Sequence, residues 1–255
     1  MKNIGIIGVG GLAEKLVVGL RRQGFSLPVH LSPRGYERSS SLSKLEACVI
    51  MGSNQAVVES SDVILLCVPA RAIDQLAKEI TVRQGQIVIS AVAGVGHDRL
   101  ERLFPGATCV RVLLSFSDQH SRAISVLWPE DEGCTHLLSM LGRVLAVSGE
   151  REFELATVAA CMSGWFLFLM HDLHEWLVDN GLCPSQAHQL VVSNFQDSIS
   201  MAASIPSSNL RALGEQASTP GTFSAKGLNV LRHQQVSAPW GAACEVVLDA
   251  LLNRM

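Results

Sequence analysis

The chain has 255 residues and a formal net charge of −3, and 48% of its residues are hydrophobic against 17% charged. A chain of this length and apolar content can bury a substantial core, in one large domain or in two modest ones. Because the sequence has neither a basic excess nor a basic run, we expect no nucleic-acid partner.

Cysteine spacing and apolar stretches indicate the compartment. The seven cysteines form no Cys-x-x-Cys pair, which favours reduced thiols. The N-terminal residues do not match a signal peptide. The longest apolar stretch, residues 158–170, is interrupted by Ser163 and Gly164 and is shorter than the about 20 residues of a membrane span. We therefore expect a cytoplasmic protein without a membrane partner.

The chain begins with an apolar run, a glycine-rich turn and an amphipathic pattern. Residues 3–8 predict a buried parallel strand, and apolar residues from Leu12 onward recur at helical spacing. In this order the elements are typical of a dinucleotide-binding turn, where a helix N-terminus points free N–H groups at phosphates. An ordinary glycine-rich turn is the alternative. The residues expected to bind the cofactor here are Gly8, Gly10, Gly11, Leu12 and Ala13.

The end of the second predicted strand, residues 27–31, is where a doubly wound fold meets the adenosine ribose. NAD would favour an acidic residue there, but the chain has Ser32 and Arg34, with Arg38 nearby. Since a hydroxyl and a guanidinium suit a 2′-phosphate, the sequence predicts NADP rather than NAD. A solvated basic loop is the alternative.

Strand and helix patterns alternate up to residue 148, which predicts a mainly parallel sheet. Further strands are expected at residues 49–51, 63–68, 86–90, 108–114, 123–128 and 146–148, and helices at residues 42–47, 54–60, 71–80, 97–103 and 134–141. Beyond residue 150 only helical patterns remain, at residues 153–180, from 184 onward, and at 209–217, 222–232 and 238–253. We therefore predict an α/β Rossmann-like domain, residues 1–150, followed by an all-α domain, residues 151–255.

Six stretches, taken in order, resemble the pyrroline-5-carboxylate reductase family over nearly the whole chain. They are IGIIGVGGLAEKL, SDVILLCVPA, SAVAGV, FPGATCVRV, NGLCPSQAHQLVVSNFQDS and STPGTFSAKGL. The resemblance implies an NADPH-dependent reductase of a small cyclic imino acid, of the proline-biosynthesis type. It also implies that Val68, Pro69 and Ala93 border the cofactor. The helical domain would form a homodimer or a higher homo-oligomer, with the active site between the first domain of one chain and helices of both.

The last of these stretches contains the expected substrate site. A turn at residues 219–222 opens a helix, whose free N–H groups can bind a carboxylate. The resemblance implies that Ser224 is the catalytic candidate, with its hydroxyl near the imine nitrogen, and that Ser163 on an earlier helix also binds substrate. From the residues alone, a helix cap with an exposed serine is the alternative. The residues assigned to the carboxylate are Gly221, Thr222, Phe223 and Ser224.

Three positions near the expected substrate site depart from the family pattern. Ser115 replaces an asparagine, residues 160–164 replace a polar Ser-Gly-Ser-Gly-Pro turn, and Thr222-Phe223 replaces Gly-Thr. The cofactor turn is intact. This combination favours a divergent relative that reduces a different imine, and a non-catalytic dinucleotide-binding protein is the remaining alternative.

Other chemistry is not indicated by the sequence. His171, His174 and Glu175 lie close together on a predicted helix but do not form a zinc-binding pattern, so no metal is expected. Residues 152–180 contain no lysine, which disfavours a related 3-hydroxy-acid dehydrogenase. No Gly-x-Ser-x-Gly elbow indicates a serine nucleophile.

Overall fold

The structure is a computed structural model that describes residues 3–115, 123–204 and 210–253. The chain divides into two compact units, Met1–Val158 with Leu248–Met255, and Ala159–Val247. All strands of the described residues belong to the first unit, and the second is helical. The division at residue 158 lies inside a continuous helix, so no linker composition reveals it.

The first unit is built on one mainly parallel sheet, as predicted. Its strands are β1 (Ile4–Ile7), β2 (Val29–Leu31), β3 (Cys48–Ile50), β4 (Val63–Leu66), β5 (Ile87–Ser90), β6 (Thr108–Leu114), β7 (Ala123–Trp128) and β8 (Gly142–Ala146). Their order is β3-β2-β1-β4-β5-β6-β7-β8, and β6 with β7 forms the one antiparallel pair among them. Ile7 pairs with Leu66, and Leu66 with Ser90. The carboxyl ends of β1, β4 and β5 therefore lie along one edge, where such folds bind ligands.

Helices cover both faces of this sheet. They are α1 (Gly11–Arg22), α2 (Tyr36–Leu42), α3 (Asn54–Glu59), α4 (Ile73–Glu79), α5 (His97–Leu103) and α6 (Glu132–Ser139), and a 3-10 turn, Ala70–Ala72, precedes α4. Successive residues of a strand point to opposite faces. Leu65 accordingly joins the apolar cluster under α1, whereas Ile64 and Leu66 join the cluster on the other face. Both faces are apolar because both are covered, which explains the continuous apolar runs of the sequence.

Two elements lie elsewhere than predicted. The helix expected at residues 42–47 is instead α2, six residues earlier in the chain. Ala47 has a φ of +55° and cannot lie in a helix, while Ser39 anchors α2 by donating its hydroxyl to the Ser32 carbonyl oxygen. The last strand, expected at residues 146–148, is β8 at Gly142–Ala146. This edge strand is mostly exposed, so apolar patterning marks it poorly.

The remaining helices match the predicted ones to within a few residues. They are α7 (Glu150–Asp179), α8 (Pro184–Ser204), α9 (Leu210–Ala217), α10 (Phe223–His233) and α11 (Ser237–Leu252). Residue 209, the first of the helix predicted at residues 209–217, lies outside the described residues. Many large apolar side chains of these helices are exposed, among them Leu167, Phe168, Trp176, Ile199, Val230 and Val246. Within the described residues, α7 is also long and apolar enough to cross a membrane, judged by length and composition alone.

Candidate functional site

The glycine turn after β1 forms an open cradle at the start of α1. Gly8 has a φ of +93°, and a Cβ there would lie 2.6 Å from the Cys67 carbonyl oxygen, so a larger residue would strain the turn. The Gly8 N–H donates to Ser32 Oγ at 3.2 Å. Gly10 is the N-cap of α1 without a side-chain capping bond, and a Cβ on Gly10 or Gly11 would meet no atom within 4 Å. Within the described residues, the first N–H groups of α1 therefore have no partner and can bind an anion.

A cavity of about 290 Å³ lies beside this cradle, at the carboxyl ends of β1, β2 and β4. Six residues that the sequence assigned to the cofactor line it: Gly8, Gly10, Ser32, Arg34, Val68 and Pro69. Ala13 is fully buried in the cluster under α1, where helix and sheet pack, and Leu12 is half-buried. Ala93 is exposed after β5. The assigned roles of these residues remain predictions.

Ser32 and Arg34, the pair assigned to a 2′-phosphate, have different surroundings. Ser32 is fully buried and accepts the Gly8 N–H bond, so its hydroxyl supports the glycine turn. Arg34 is exposed over 73% of its side chain, and its Nη2 lies 3.1 Å from Glu79 Oε1. Both line the cavity, but Arg34 alone of the two carries a charge for a phosphate.

Two polar residues of this region were missed from the sequence. Asn54 is nine-tenths buried, lines the cavity and has an Oδ1 atom without a partner within the described residues. Its Nδ2 donates to Glu79 Oε2 at 3.1 Å. A buried acceptor is costly when unpaired, so a donor group of a bound ligand would fit here. Nothing in the sequence pairs Glu79 with Arg34, because 45 positions separate them.

Glu79 is the carboxylate of a small polar cluster. The hydrogen bond from Gln75 contributes most to lowering the pKa of Glu79, and those from Asn54 and Arg34 with the Arg34 charge act in the same direction. Cys67, on the cavity wall, behaves oppositely: burial raises the pKa of its thiol to about 12. Cys67 is therefore protonated at neutral pH and contributes an apolar wall rather than a nucleophile.

The predicted substrate turn, residues 221–224, lies in the second unit at the start of α10. Gly221 has a φ of +90°, and Thr222 caps the helix by accepting the Ala225 N–H at 3.2 Å. Ser224 Oγ lies 3.0 Å from the Ala217 carbonyl oxygen and 2.9 Å from Thr222 Oγ1. The turn thus has the cap that the residues alone suggested, together with an adjacent serine hydroxyl.

The other two predicted substrate residues are exposed. Phe223 is 89% exposed, and the Lys226 ammonium nitrogen lies 5.4 Å from its ring centroid. Ser163 is exposed on α7. Neither is fixed by burial, so the structure leaves their substrate roles as predictions.

A buried charge cluster at the start of α7 was also missed. Arg111 of β6 is 2% exposed, and its Nη1 and Nη2 lie 2.8 Å and 2.7 Å from Glu150 Oε1 and Glu154 Oε1. The guanidinium carbon stacks 4.3 Å from the Phe153 ring centroid. The backbone N–H of His97 also donates to Glu150 Oε1 at 2.8 Å. Glu150 lies 39 positions from Arg111 and 53 from His97, so no local pattern reveals a cluster that ties α7 to the sheet within the first unit.

Possible metal ligands meet at one place in the described part of the chain. His97, Asp98 and Glu101 bring one ligand atom each to within 4.8 Å of one another. Both acids are exposed, and His97 Nε2 already lies 3.0 Å from the Cys109 carbonyl oxygen. Exposed acids near a histidine are common without a metal, so the expectation of no metal site stays a prediction.

A glycine cradle, a free helix N-terminus and an adjoining cavity at the carboxyl edge of a parallel sheet define a dinucleotide-binding protein. The family profile described as NADP oxidoreductase coenzyme F420-dependent matches residues 3–94. The profile described as pyrroline-5-carboxylate reductase dimerisation matches residues 150–250. The two profiles lie in different halves of the chain, and the second matches the helical half to the pyrroline-5-carboxylate reductase family.

Individual relatives agree over almost the full length. A pyrroline-5-carboxylate reductase of Pasteurella multocida is 26% identical over 250 residues, covering 92% of this chain and 91% of the relative. One from Corynebacterium melassecola is 27% identical and covers 79% of this chain and 80% of its own. The solved pyrroline-5-carboxylate reductase of Coxiella burnetii has a TM-score of 0.86 at 19% identity, covering 99% of this chain and 98% of its own.

Solved structures with cofactor share the same fold. Plasmodium falciparum pyrroline carboxylate reductase with NADP bound has a TM-score of 0.79 at 16% identity, covering 99% of this chain and 98% of its own. A reductive aminase from Aspergillus terreus in complex with NADPH and ethyl-5-oxohexanoate has a TM-score of 0.66 at 14% identity, covering 99% and 90%. At these identities the likeness concerns the fold alone.

Proposed function

We propose that this protein is an NADPH-dependent reductase of a small cyclic imino acid, with pyrroline-5-carboxylate as its substrate. The observation that carries the proposal is the open cradle of Gly8, Gly10 and Gly11 at an uncapped helix N-terminus. It stands in a chain whose helical half matches the dimerisation profile of such reductases. Curated relatives with that activity in their names cover nearly the whole chain.

In this proposal the first unit binds the cofactor. Bound NADPH would supply the hydride that adds to the imine carbon. The N–H groups at the start of α1 bind the pyrophosphate, and Asn54 Oδ1 accepts a bond from a cofactor hydroxyl or amino group. Arg34 bonds the 2′-phosphate by a charge-assisted contact. The residues that border the rest of the cofactor are Val68, Pro69 and Ala93.

The second unit supplies the carboxylate site. Thr222 satisfies the Ala225 N–H, and no partner within the described residues takes the N–H groups of Phe223 and Ser224. These two donors and the positive end of α10 suit a carboxylate. The Ser224 hydroxyl then bonds near the imine nitrogen. If the imine arrives protonated, the residues need only align and desolvate it, without a further acid.

The exposed apolar helices support a homodimer. Two cavities of about 340 Å³ and 350 Å³ in the second unit are lined mostly by large apolar residues, including Trp165, Phe168 and Trp240 in one and Trp176 and Phe195 in the other. Exposed patches of this kind mark interfaces. Because α7 lies within the region that matches a dimerisation profile, we propose that a second copy covers it in the cytoplasm, and not a membrane.

A steady-state assay tests the proposal. Purified protein is mixed with NADPH and with five- or six-membered cyclic imino acids, or with the same imines lacking the carboxylate, and NADPH oxidation is followed. We expect turnover with a carboxylated imine and little without the carboxylate. Binding of NADPH without oxidation by any imine would contradict the proposal and favour the non-catalytic alternative.

The exposed Phe223 supports a second candidate, a reductase of a different imine. The family has a small polar residue at this position, and a ring there changes the size of the site. The variant Phe223→Thr separates the two candidates. A gain on pyrroline-5-carboxylate together with a loss on another imine would favour the second one, and equal activities of both proteins on every imine would remove it.

A further inference from the structure

The guanidinium assigned to the 2′-phosphate is already engaged by a carboxylate. Arg34 Nη2 lies 3.1 Å from Glu79 Oε1 and 3.5 Å from Glu79 Oε2. Glu79 is the last residue of α4, while Arg34 follows β2 and lines the cavity. No acidic residue directly follows β2 in the sequence. The carboxylate at this edge of the sheet comes instead from Glu79, at the end of α4.

Glu79 is fixed in place independently of Arg34. Asn54 Nδ2 donates to Glu79 Oε2 at 3.1 Å, and Gln75 Nε2 donates to Glu79 Oε1 at 3.3 Å. The Glu79 side chain is 27% exposed, whereas that of Arg34 is 73% exposed. An exposed ion pair is usually weak because two free side chains must be ordered. Here only the arginine has to be ordered, so the pair forms at a smaller entropic cost.

From this geometry we propose that Glu79 determines cofactor specificity by competing with the 2′-phosphate of NADPH for Arg34. The inference rests on the proposed function, since it concerns the preference of an enzyme that uses a nicotinamide cofactor. A phosphate must displace the carboxylate from Nη2 or share the guanidinium with it, and two anions near one cation repel each other. NADH has no 2′-phosphate and meets no such competition. Arg34 makes NADPH bind more tightly than NADH, and Glu79 therefore reduces this difference in affinity.

A supporting role of Glu79 and a competing role predict changes of opposite sign in the affinity for NADPH. If Glu79 instead pre-positioned Arg34 for the phosphate, removal of its charge would weaken NADPH binding. Competition predicts the reverse. Because Glu79 bonds the same nitrogen with both oxygens, the guanidinium points towards the carboxylate, which favours competition.

The experiment compares dissociation constants of the full-length protein for NADPH and NADH, measured by calorimetry. The variant Glu79→Gln keeps the size and shape of the side chain and removes its charge, and its one remaining oxygen can still accept a bond from Asn54 or Gln75. Glu59→Gln is the matched control, since Glu59 is an exposed acid of α3 that accepts a bond from Gln55 at 3.0 Å. The dissociation constants of 2′,5′-ADP and 5′-ADP are also compared, because these two ligands differ only in the 2′-phosphate and lack the rest of the cofactor.

We expect Glu79→Gln to tighten NADPH and 2′,5′-ADP binding by about threefold to tenfold, the range of a partly exposed charge contact. NADH and 5′-ADP should bind as in the wild type, and Glu59→Gln should change none of the four constants. In an Arg34→Ala background the gain from Glu79→Gln should disappear.

Three results would overturn the inference. They are an unchanged ratio of NADPH to NADH affinity in Glu79→Gln, a weaker affinity for NADPH, and a gain that persists without Arg34. Each leaves the proposed reductase function standing, because the wild type still binds and uses a cofactor. A wild-type protein that binds neither dinucleotide would instead end the proposed function and this inference together.

Discussion

The two units bury their apolar residues in opposite ways. In the first, two apolar clusters fill both faces of the sheet, and strands such as β1, β4 and β5 are buried at every position. In the second, α9 and α10 contain no buried residue, and the four buried residues of α7 all belong to the first unit. One half completes its core within the chain, and the other presents a core that a second copy would complete.

The two halves are therefore stabilised in different ways. Apolar area removed from water contributes about 25 cal/mol per Å². In the first unit that area is removed by folding, whereas exposed side chains such as Phe168 and Trp176 can contribute only on association. We therefore expect the nucleotide-binding half to depend on internal contacts and the helical half on protein concentration.

The largest effect should come from the buried charge cluster of the first unit. Arg111→Met leaves Glu154, which is 1% exposed, as a buried carboxylate without its cation. We expect the free energy of unfolding to fall by about 3–5 kcal/mol, measured by chemical denaturation at fixed protein concentration. Arg99→Met removes an exposed pair with Asp74 and should cost less than about 1 kcal/mol. Equal costs for the two variants would show that the first unit does not depend on its internal cluster.

A charged residue on the helical half should break the association. Trp176 is 62% exposed and lines one of the apolar cavities. Trp176→Glu should weaken the dimer by about 2–4 kcal/mol, as for an interface hot spot, measured by sedimentation at several concentrations. Val49→Glu, at a 50% exposed position of the edge strand β3, should leave the dimer intact. A wild type that stays monomeric at micromolar concentration would remove the comparison between the halves.

The substrate turn allows the chemistry to be separated from cofactor binding. Ser224→Ala should lower kcat/KM by about one to two orders of magnitude, since a hydrogen bond to a charged group is worth roughly 1.5–3 kcal/mol. The NADPH dissociation constant should hardly change, because the cradle belongs to the other unit. Ser198→Ala removes a local hydroxyl bond to Asn194 on α8 and serves as the control. Full activity of Ser224→Ala would disprove the assigned role.

The smallest effect concerns cofactor choice. Arg34→Ala should weaken NADPH binding by about 1 kcal/mol and leave NADH unchanged, since Glu79 already neutralises part of the contact. Fluorescence titration with both cofactors measures the two constants. Arg22→Ala, an exposed arginine at the end of α1, controls for the loss of a surface charge. Equal losses for NADPH and NADH would contradict the assignment of Arg34 to the 2′-phosphate.

Local patterns in the sequence predicted most of the fold. Buried strands such as Val63–Leu66 appear as uninterrupted apolar runs, and helices such as α5 and α7 follow apolar spacing. The serine-rich α2 was misplaced because a tertiary bond from Ser39 to Ser32 anchors it rather than an apolar stripe. The exposed edge strand β8 was displaced for a related reason, as neither of its faces is strongly apolar.

The candidate site could be predicted only where a motif is local. The glycine cradle and the turn at residues 221–224 each lie within a few consecutive residues. The contact between Glu79 and Arg34, and the cluster of Arg111 with Glu154, join residues that lie far apart in the chain. Such pairs are created by the strand order and by the direction of each helix, which a single sequence does not specify. Such a pair changes the net charge at a residue that the sequence identifies, as Glu79 does at Arg34.

Transfer of a labelled hydride tests the proposed reaction most directly. The protein is incubated with pyrroline-5-carboxylate and NADPH that carries deuterium at nicotinamide C4 on the transferred face, and the product is analysed by mass spectrometry. We predict proline with a single deuterium at C5, formed in proportion to the NADPH consumed, and formed about one to two orders of magnitude more slowly by Ser224→Ala. Oxidation of NADPH without labelled proline, or no oxidation despite cofactor binding, would contradict the assignment of this chain as a pyrroline-5-carboxylate reductase.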